Sequence, residues 1–174
     1  METLIGKHIK LRALEPSDLD FLYTLENDES IWEVSNTQKP YSRYVLKKYL
    51  DHSHLDIYET KQVRFAISTK NNKTVGFVDL YDFDPAHKRV GVGIIVTKND
   101  QKRGYAKEAI VLITNYAFHH LQVHQIFASV TQQNHRSIEL FEGLDFKKTG
   151  VRKDWIATNH TFIDEYFYQK IHVH

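Results

Sequence analysis

Apolar and polar residues alternate along several stretches of this chain with the two-residue period of a strand that has one buried face. Ile9, Leu11 and Ala13 alternate with charged residues, so the chain is predicted to open with a half-buried strand. The same pattern predicts strands over 63–69, 74–83 and 89–97, then over 126–130, 146–156 and 161–171. Asn71-Asn72 separates two of these strands, and asparagine tolerates the positive φ angles of a tight hairpin turn.

Apolar positions follow the helical period in four other segments. Pro16-Ser17-Asp18 is a helix start, and a second helix is predicted to begin near Ser42. The longest helix is predicted from Gly104 to Leu121, and a short one over 136–143. The predicted order is β-α-α-β-β-β-α-β-α-β-β. The long helix between two strands permits a parallel crossover, so the fold class is α/β with a mixed (α+β) sheet.

The composition is that of a single domain over residues 1–174. Formal net charge is +1, which favours neither nucleic acid nor a membrane surface as a partner. Cysteine is absent from the sequence, which excludes disulfides, thiolate metal sites and cysteine acyl-enzyme chemistry. The amino-terminal residues lack the apolar core of a signal peptide, and no run reaches the ~18 apolar residues of a membrane span, so a cytoplasmic protein is expected.

The segment Gln101-Lys102-Arg103-Gly104-Tyr105-Ala106 joins the end of a predicted strand to the start of the longest helix. The first turn of a helix has main-chain N–H groups without intrahelical partners, at the positive end of the helix dipole. Gly104 removes a side chain where a ligand must approach, and Lys102 and Arg103 add positive charge. These features predict a site for a phosphate or pyrophosphate. Their spacing fits neither the dinucleotide glycine motif nor the P-loop.

This segment resembles the acyl-CoA signature of the GNAT acetyltransferases, Gln/Arg-x-x-Gly-x-Gly/Ala after a strand. A second segment, from Asn134 through Ser137, Leu140 and Phe141 to Phe146, is similar to the family's second signature, Asn-x-x-Ser/Ala-x-x-Leu-Tyr/Phe-x-x-x-Gly-Phe. The gap between them has the length of one helix and one strand. The chain is identified on these residues as a member of the GNAT family, and the resemblance covers nearly all of it.

The resemblance implies the GNAT acyl-CoA N-acyltransferase fold and acetyl-CoA as co-substrate. Main-chain N–H groups of the first signature would hold the pyrophosphate, and the edge of the preceding strand would pair with the pantetheine amides. The residues implied to bind the cofactor are Ile94, Ile95, Val96, Gln101, Lys102, Arg103, Gly104, Tyr105, Ala106, Lys107, Asn134, Ser137 and Phe141. Asn134 is also a preferred helix cap, and the two roles are compatible.

Phe141 and Asp145 depart from the family's pattern. Many members have a tyrosine at the position of Phe141, placed to protonate the departing CoA thiolate. Phenylalanine has no ionisable group, so Phe141 is expected to be a wall of the thioester pocket. Asp145 replaces the usual glycine before Phe146, and aspartate tolerates the left-handed conformation better than most residues.

The acceptor is expected to be an amine that attacks the thioester directly, with main-chain N–H groups near Ile95 and Val96 stabilising the oxyanion. An amine with lysine's ordinary pKa of ~10.4 costs about 4–5 kcal/mol to deprotonate at pH 7, and a nearby carboxylate lowers that cost. Asp79 is the candidate base. The candidate acceptor contacts are Asp79, Asp82 and Trp155. A bulge would be needed to bring Asp79 and Asp82 to one face.

Three functions remain open from the sequence. A small-amine acetyltransferase, with polyamines as leading acceptors, is favoured by the similarity of 63–106 to spermidine acetyltransferases, although these tend to carry a glutamate where this chain has Gly91. A second candidate is a protein amino-terminal acetyltransferase of the ribosomal-protein type, which acts on a peptide amino terminus. The opening segment of this chain, through Trp32, is similar to that class. Phe141 and Gly91 suggest a non-catalytic acyl-CoA sensor.

No metal site is predicted, because the 11 histidines lack the spacing of metal ligands. The sequence leaves open whether the protein forms a homodimer.

Overall fold

Seven strands form one mixed sheet in the computed structural model, which describes residues 2–35, 39–159 and 161–173, with the main chain alone at 33–35. Across the sheet the order is β1-β2-β3-β4-β5-β7-β6, and β4 and β5 are parallel while the other neighbouring pairs are antiparallel. The strands are β1 (Ile9–Arg12), β2 (Val63–Thr69), β3 (Thr74–Asp84), β4 (Arg89–Val96), β5 (Gln125–Thr131), β6 (Lys147–Ala157) and β7 (Phe162–Ile171). The predicted mixed sheet is confirmed.

The described helices are α1 (Leu19–Glu26), α2 (Glu29–Ser35), α3 (Arg43–Asp51), α4 (Ile57–Thr60), α5 (Tyr105–His119) and α6 (His135–Glu142). The four predicted helices correspond to α1, α3, α5 and α6. The predicted order omitted α2 and α4, because helices of seven and four residues are too short for a period of 3.6 residues to stand out. In the described ranges, no helix combines the length and the apolar character that crossing a membrane requires.

The sheet has a separate apolar core on each face. Adjacent residues of a strand point to opposite faces, so Phe77 and Val78 of β3 belong to different cores. Val78 packs in the larger core with Ile110 and Ile113 of α5. Phe77 packs in the smaller core with residues of α1 and α3, including Leu22, Leu25, Leu46 and Leu50. The sheet is therefore held between α5 on one side and the α1–α3 pair on the other.

Two positions predicted to adopt unusual backbone angles do so. Asn72 in the β2–β3 hairpin has φ +59°, and Asp145 before β6 has φ +65°. The short polar side chains of Asn and Asp make this left-handed region accessible to them. The sequence also predicts a turn at 158–160 between the last two strands, and His160 of that turn lies outside the described residues.

Candidate active site

Strands β4 and β5 separate partway along their length, in the middle of the sheet. In the described chain their parallel register covers 89–91 of β4 opposite 125–127 of β5. β4 continues to Val96 and β5 to Thr131, each paired only with its neighbour on the other side. The two strands therefore diverge in a V, and an extended molecule can lie between their edges.

This opening exposes main-chain groups of β4. Thr97 donates its N–H to the carbonyl of Val75 in β3, at 2.9 Å, so the main-chain groups of Thr97 face β3. Main-chain groups alternate between the two sides of a strand, so those of Ile95 also face β3, whereas those of Ile94 and Val96 face the opening. Unpaired groups at a strand edge bind an extended chain by strand addition. Main-chain N–H groups that stabilise an oxyanion were expected near Ile95 and Val96. In the structure, the N–H groups of this segment that face the opening are those of Ile94 and Val96.

Helix α5 begins at the loop predicted to bind phosphate. Gly104 has φ +80° and Lys102 has φ +62°, so the chain turns through two left-handed residues. Glu108 N–H donates to the Gly104 carbonyl at 3.1 Å, and the N–H groups that precede it in the first turn have no intrahelical partner. A Cβ atom at Gly104 would have no neighbour within 4 Å, so the space in front of the helix is open. Free donors, the positive end of the helix dipole and open space together suit an anion.

Asp100, a buried carboxylate, holds the start of this loop. Lys73 donates to its two oxygens at 2.7 and 2.8 Å, and the Thr97 hydroxyl donates to Oδ2 at 2.8 Å. Burial is the largest single influence on the pKa of Asp100 and raises it, but the bonds from Lys73 and Thr97 and the charges of Lys73 and Arg103 together outweigh burial, so the pKa lies below its ordinary value. Asp100 is therefore ionised at neutral pH and anchors the end of β4 to Lys73.

Gln101 links the two segments that carry the acyl-CoA resemblance. Its Nε2 donates to the Val96 carbonyl at 3.1 Å, and its Oε1 accepts a hydrogen bond from Arg136 of α6. The Gln101 side chain is thus engaged within the protein, and it sets the distance between the end of β4 and α6.

The start of α6 lies beside a cavity of about 230 Å³, called here the smaller cavity. Asn134 caps the helix by accepting the Ser137 N–H at 3.2 Å. Phe141 is buried and meets Phe146 edge to face, with ring centroids 5.0 Å apart. The smaller cavity is bounded by β4, β5, α6 and the β6–β7 hairpin, and its lining includes Ile94, Asn134, Ser137, Phe141, Trp155 and Glu165. Predicted cofactor residues from two parts of the chain are therefore neighbours, and Trp155 joins them.

A cavity of about 670 Å³, called here the larger cavity, lies on the face of the sheet that carries α1 and α3. Its apolar lining comes from both helices and from β4, and includes Leu22, Leu46, Val92 and Ile95. Its polar lining includes Glu26, Tyr49, Arg64, Asp79, Tyr81 and Ser129. Asp79 therefore lies in a cavity next to the opening, as a candidate acceptor contact would.

Arg64 of β2 binds two carboxylates in the larger cavity. Its Nε and Nη2 donate to the two oxygens of Asp79 at 2.6 and 3.1 Å, and its Nη1 donates to Glu26 at 2.5 Å. The largest single influence on the pKa of Arg64 is burial, which lowers it. Asp79, Tyr49 and Glu26 together raise the pKa by more than burial lowers it, so the net pKa is above the ordinary value. These three side chains place two negative charges and one positive charge in the cavity wall.

The two cavities meet at the opening between β4 and β5. Four residues line both of them, namely Val92, Gly93, Ile94 and Ser129. A molecule held along the edge of β4 and a second one in the larger cavity would therefore reach the same point. This arrangement permits direct transfer of a group from one to the other.

Asp82, the other acidic residue predicted beside Asp79, lies elsewhere, and so does Asp84 on the same strand. The β3–β4 register shifts between Tyr81 and Asp84, which is the bulge that the predicted grouping required. At this bulge Asp82 has φ +48° and an exposed side chain outside both cavities. Asp84 accepts a hydrogen bond from Arg89 at 3.1 Å. Of these three aspartates, Asp79 is the one in a cavity.

Glu26, Arg64 and Tyr81 were not predicted as site residues. For Arg64 a signal exists in the sequence, because counting outward from the Asn71-Asn72 turn places Arg64 opposite Asp79, as the observed register does. Opposite charges at facing positions of two antiparallel strands attract. Glu26 ends α1, and its approach to Arg64 depends on how α1 packs against the sheet, which the sequence does not indicate.

Comparison with known proteins identifies a family and a set of relatives. The sequence profile of the acetyltransferase (GNAT) domain matches residues 8–147. Spermidine N(1)-acetyltransferase of Vibrio cholerae is 27% identical over 84% of this chain and 83% of its own length. A crystal structure of the Vibrio cholerae spermidine N-acetyltransferase in complex with CoA and spermine has a TM-score of 0.85 at 25% identity, over 94% of this chain and 95% of that one. A dodecameric structure of spermidine N-acetyltransferase from the same organism has a TM-score of 0.78 at 26% identity, over 94% and 93%.

Proposed function

This chain belongs to the GNAT acetyltransferase family and is an acetyl-CoA-dependent N-acetyltransferase, and we propose that its acceptor is a polyamine or another small cationic amine. The observation that carries the proposal is the pair of carboxylates, Glu26 and Asp79, in the wall of the larger cavity. The relatives' action on spermidine supports it. Neither the amino-terminal acetyltransferase nor the non-catalytic sensor has support among the relatives.

Acetyl-CoA is proposed to lie along the edge of β4, in the opening towards β5. The pyrophosphate would bind at the start of α5, where the main-chain N–H groups at 102–106 and the charges of Lys102, Arg103 and Lys107 favour an anion. The pantetheine amides would pair with the main chain of Ile94 and Val96. Asn134, Ser137 and Phe141 would form the wall opposite, so that the thioester lies where the two cavities meet.

The acceptor amine is proposed to enter through the larger cavity. Glu26 and Asp79 against Arg64 leave one net negative charge, which attracts an ammonium group. Arg64 occupies one lone pair on each oxygen of Asp79, and each remaining lone pair can accept a hydrogen bond from the amine or from a water. Asp79 would thus hold the attacking nitrogen, stabilise the positive charge that forms on it and pass its proton to water.

A panel of amines with free-thiol detection tests the acceptor class. The panel contains spermidine, spermine, a monoamine of similar length and an alanine-terminated peptide. We expect the two polyamines to have the highest kcat/KM, because a second ammonium group can reach Glu26 while the first reacts. A higher kcat/KM for the peptide would contradict the polyamine proposal and favour the amino-terminal acetyltransferase.

Replacing Asp79 with asparagine tests the role of its carboxylate. We expect kcat/KM for the best amine to fall about 100-fold, at the lower end of the ~10²–10⁴-fold that proton transfer contributes, with the Kd of CoA unchanged because Asp79 lies outside the proposed CoA contacts. Asp84→Asn is the matched control. Asp84 is an aspartate on the same strand, but it lies outside both cavities and pairs with Arg89. A kcat/KM in Asp79→Asn equal to that of the wild type would show that Asp79 takes no part in the mechanism.

A homo-oligomer is also proposed, on the basis of the similar dodecameric enzyme. Large apolar side chains are exposed on the β6–β7 hairpin at Val151, Trp155 and Phe162, and burying such surface between copies would stabilise association. Light scattering on the purified chain measures the assembly, and a monomer at micromolar concentration would contradict it.

A further inference from the structure

Tyr81 lies at the point where β4 and β5 separate. It pairs in register with Gly91 of β4, and Gly91 pairs in turn with Phe127 of β5. That row is the last one in which β4 and β5 are paired. The Tyr81 ring meets the Phe127 ring edge to face, with centroids 5.8 Å apart. The Tyr81 side chain therefore reaches across β4 as far as β5.

Two glycines of β4 make room for this ring. A Cβ atom at Gly91 would lie 2.4 Å from Cε2 of Tyr81, and one at Gly93 would lie 3.7 Å from Cε1. The first distance is far below any normal contact between carbon atoms, so Gly91 is required while Tyr81 keeps this position. The absence of a side chain at Gly91 is thus explained by Tyr81, which occupies the space beside the opening.

The hydroxyl of Tyr81 is held near the meeting point of the two cavities. Tyr81 lines the larger cavity, and Ser129, whose main chain is hydrogen-bonded to the hydroxyl, lines both. Burial raises the pKa of Tyr81 to about 12, while the bond from Ser129 acts in the opposite direction. A hydrogen bond that lowers the pKa of a phenol is one donated to its oxygen. Tyr81 therefore keeps its proton at neutral pH and has that proton available to give to another group.

We propose that Tyr81 donates a hydrogen bond, and then its proton, to the CoA sulfur as the thioester breaks. The acceptor nitrogen forms its bond to the acetyl carbon, the C–S bond breaks with its electron pair on sulfur, and the Tyr81 proton passes to that sulfur. The proton that the new amide nitrogen releases restores Tyr81 through water. The inference rests on the placement of the thioester proposed above, and it is independent of which amine is acetylated.

The surroundings of Tyr81 suit this transfer. Phe141, which lines the smaller cavity, has no proton to give, so any proton that the sulfur receives comes from another group of the site. The burial that raises the pKa of Tyr81 also disfavours a thiolate nearby, which makes the sulfur a stronger base than a free thiol with its pKa of ~8.5. The charged groups around Tyr81 are Asp82, Glu165 and Arg152, and Arg152 pairs with Glu165 at 2.6 Å.

Tyr81→Phe tests the hydroxyl while keeping the ring that fills the space over Gly91. We expect kcat to fall about 100-fold or more, since general acid catalysis contributes ~10²–10⁴-fold, with the Kd of acetyl-CoA unchanged by calorimetry. Tyr116→Phe is the control, because Tyr116 is a half-buried tyrosine of α5 that stacks on His120 and lines neither cavity. Full kcat in Tyr81→Phe overturns the proposal. Loss of acetyl-CoA binding in that variant also overturns it, because the hydroxyl would then serve the binding of the donor.

The pH dependence separates proton donation from a packing role. In the wild type kcat/KM is expected to rise with pH as the amine deprotonates, without an alkaline fall, because the Tyr81 pKa of about 12 lies above the accessible range. A fluorinated tyrosine incorporated at position 81 has a more acidic phenol, so an alkaline fall should appear at its lowered pKa. An unchanged profile in that protein would overturn the proposal. The measurement uses whichever amine of the panel reacts fastest, so failure of the polyamine proposal would be seen separately.

Discussion

At the scale of single residues, Gly104 meets two requirements at once. Its φ of +80° lies in the left-handed region, and its missing side chain leaves open space at the start of α5. An ordinary L-residue adopts this region at a cost of about 1–2 kcal/mol, and a β-branched one is less tolerant still. The position therefore constrains both the backbone and the proposed phosphate site.

Gly104→Val is expected to weaken CoA binding about tenfold or more, a loss of ~1.4 kcal/mol, because its methyl groups would occupy the proposed phosphate position. Gly104→Asn is the matched variant, since asparagine tolerates the left-handed backbone yet still fills the space. Calorimetry at two salt concentrations measures both, and the wild-type affinity should fall with salt because the bound group is an anion. Wild-type affinity in a folded Gly104→Asn protein would show that the phosphate binds elsewhere.

At the scale of elements, the connection from β4 to α5 positions the anion site relative to the strand edge. Asp100 anchors it through Lys73 and Thr97, and Gln101 ties it to the Val96 carbonyl and to α6. The side chains of both residues are engaged in hydrogen bonds within the protein. The proposed pyrophosphate and pantetheine sites are thus held at a set distance by hydrogen bonds within the protein.

Asp100→Asn should lower the free energy of unfolding at pH 7 by about 1–2 kcal/mol, because a buried, charge-assisted set of hydrogen bonds is weakened. The pKa of Asp100 is lower in the folded protein than in the unfolded chain, so this stabilisation is present above the unfolded value of ~3.9 and is lost as the pH falls through the folded value. Urea unfolding at several pH values should therefore show a difference between wild type and variant that shrinks below about pH 4.

Asp20→Asn is the control for this measurement. Asp20 pairs with Arg43 at the surface, where ion pairs contribute little, so its stability change should be small at every pH. An Asp100→Asn protein as stable as the wild type at pH 7 would mean that Asp100 does not anchor the loop.

At the scale of the whole molecule, the donor and the acceptor are proposed to bind in separate cavities. The larger cavity lies on the face with α1 and α3, the smaller one adjoins α6, and they meet where β4 and β5 separate. In the proposed arrangement each partner of the reaction has its own cavity, so both can be bound before transfer. The cysteine-free sequence also excludes a cysteine acyl-enzyme.

Steady-state kinetics are therefore expected to show intersecting double-reciprocal lines when acetyl-CoA and the amine are varied together. Incubation with acetyl-CoA alone should leave the mass of the chain unchanged, because no residue takes up the acetyl group on the way to the amine. Parallel lines together with a stoichiometrically acetylated chain would contradict direct attack. Asp79→Asn serves as a comparison, since it should alter the amine dependence and leave the Kd of acetyl-CoA unchanged.

Much of this architecture follows from the sequence by itself, because it depends on local chemistry. The spacing of apolar residues, with a period of two in strands and 3.6 in helices, predicted all seven strands and four of the helices. The turn residues Asn72 and Asp145 adopt the positive φ that their side chains allow. Asn134 caps α6 as its residue type predicted. The two signature segments predicted the family, which the domain profile confirms. Each of these features is encoded within a few neighbouring residues.

Only the tertiary structure decided which distant side chains share the site. Asp79 and Asp82 are both candidate acceptor contacts in the sequence, but a bulge in β3 turns Asp82 to the surface while Arg64 and Glu26 join Asp79 in the larger cavity. In the sequence, Gly91 stands where spermidine acetyltransferases tend to carry a glutamate. In the structure, the ring of Tyr81 occupies the space over Gly91. These relations depend on strand register and on the packing of α1 against the sheet. Both are set by the sum of contacts across the fold, and no short segment of the chain encodes them.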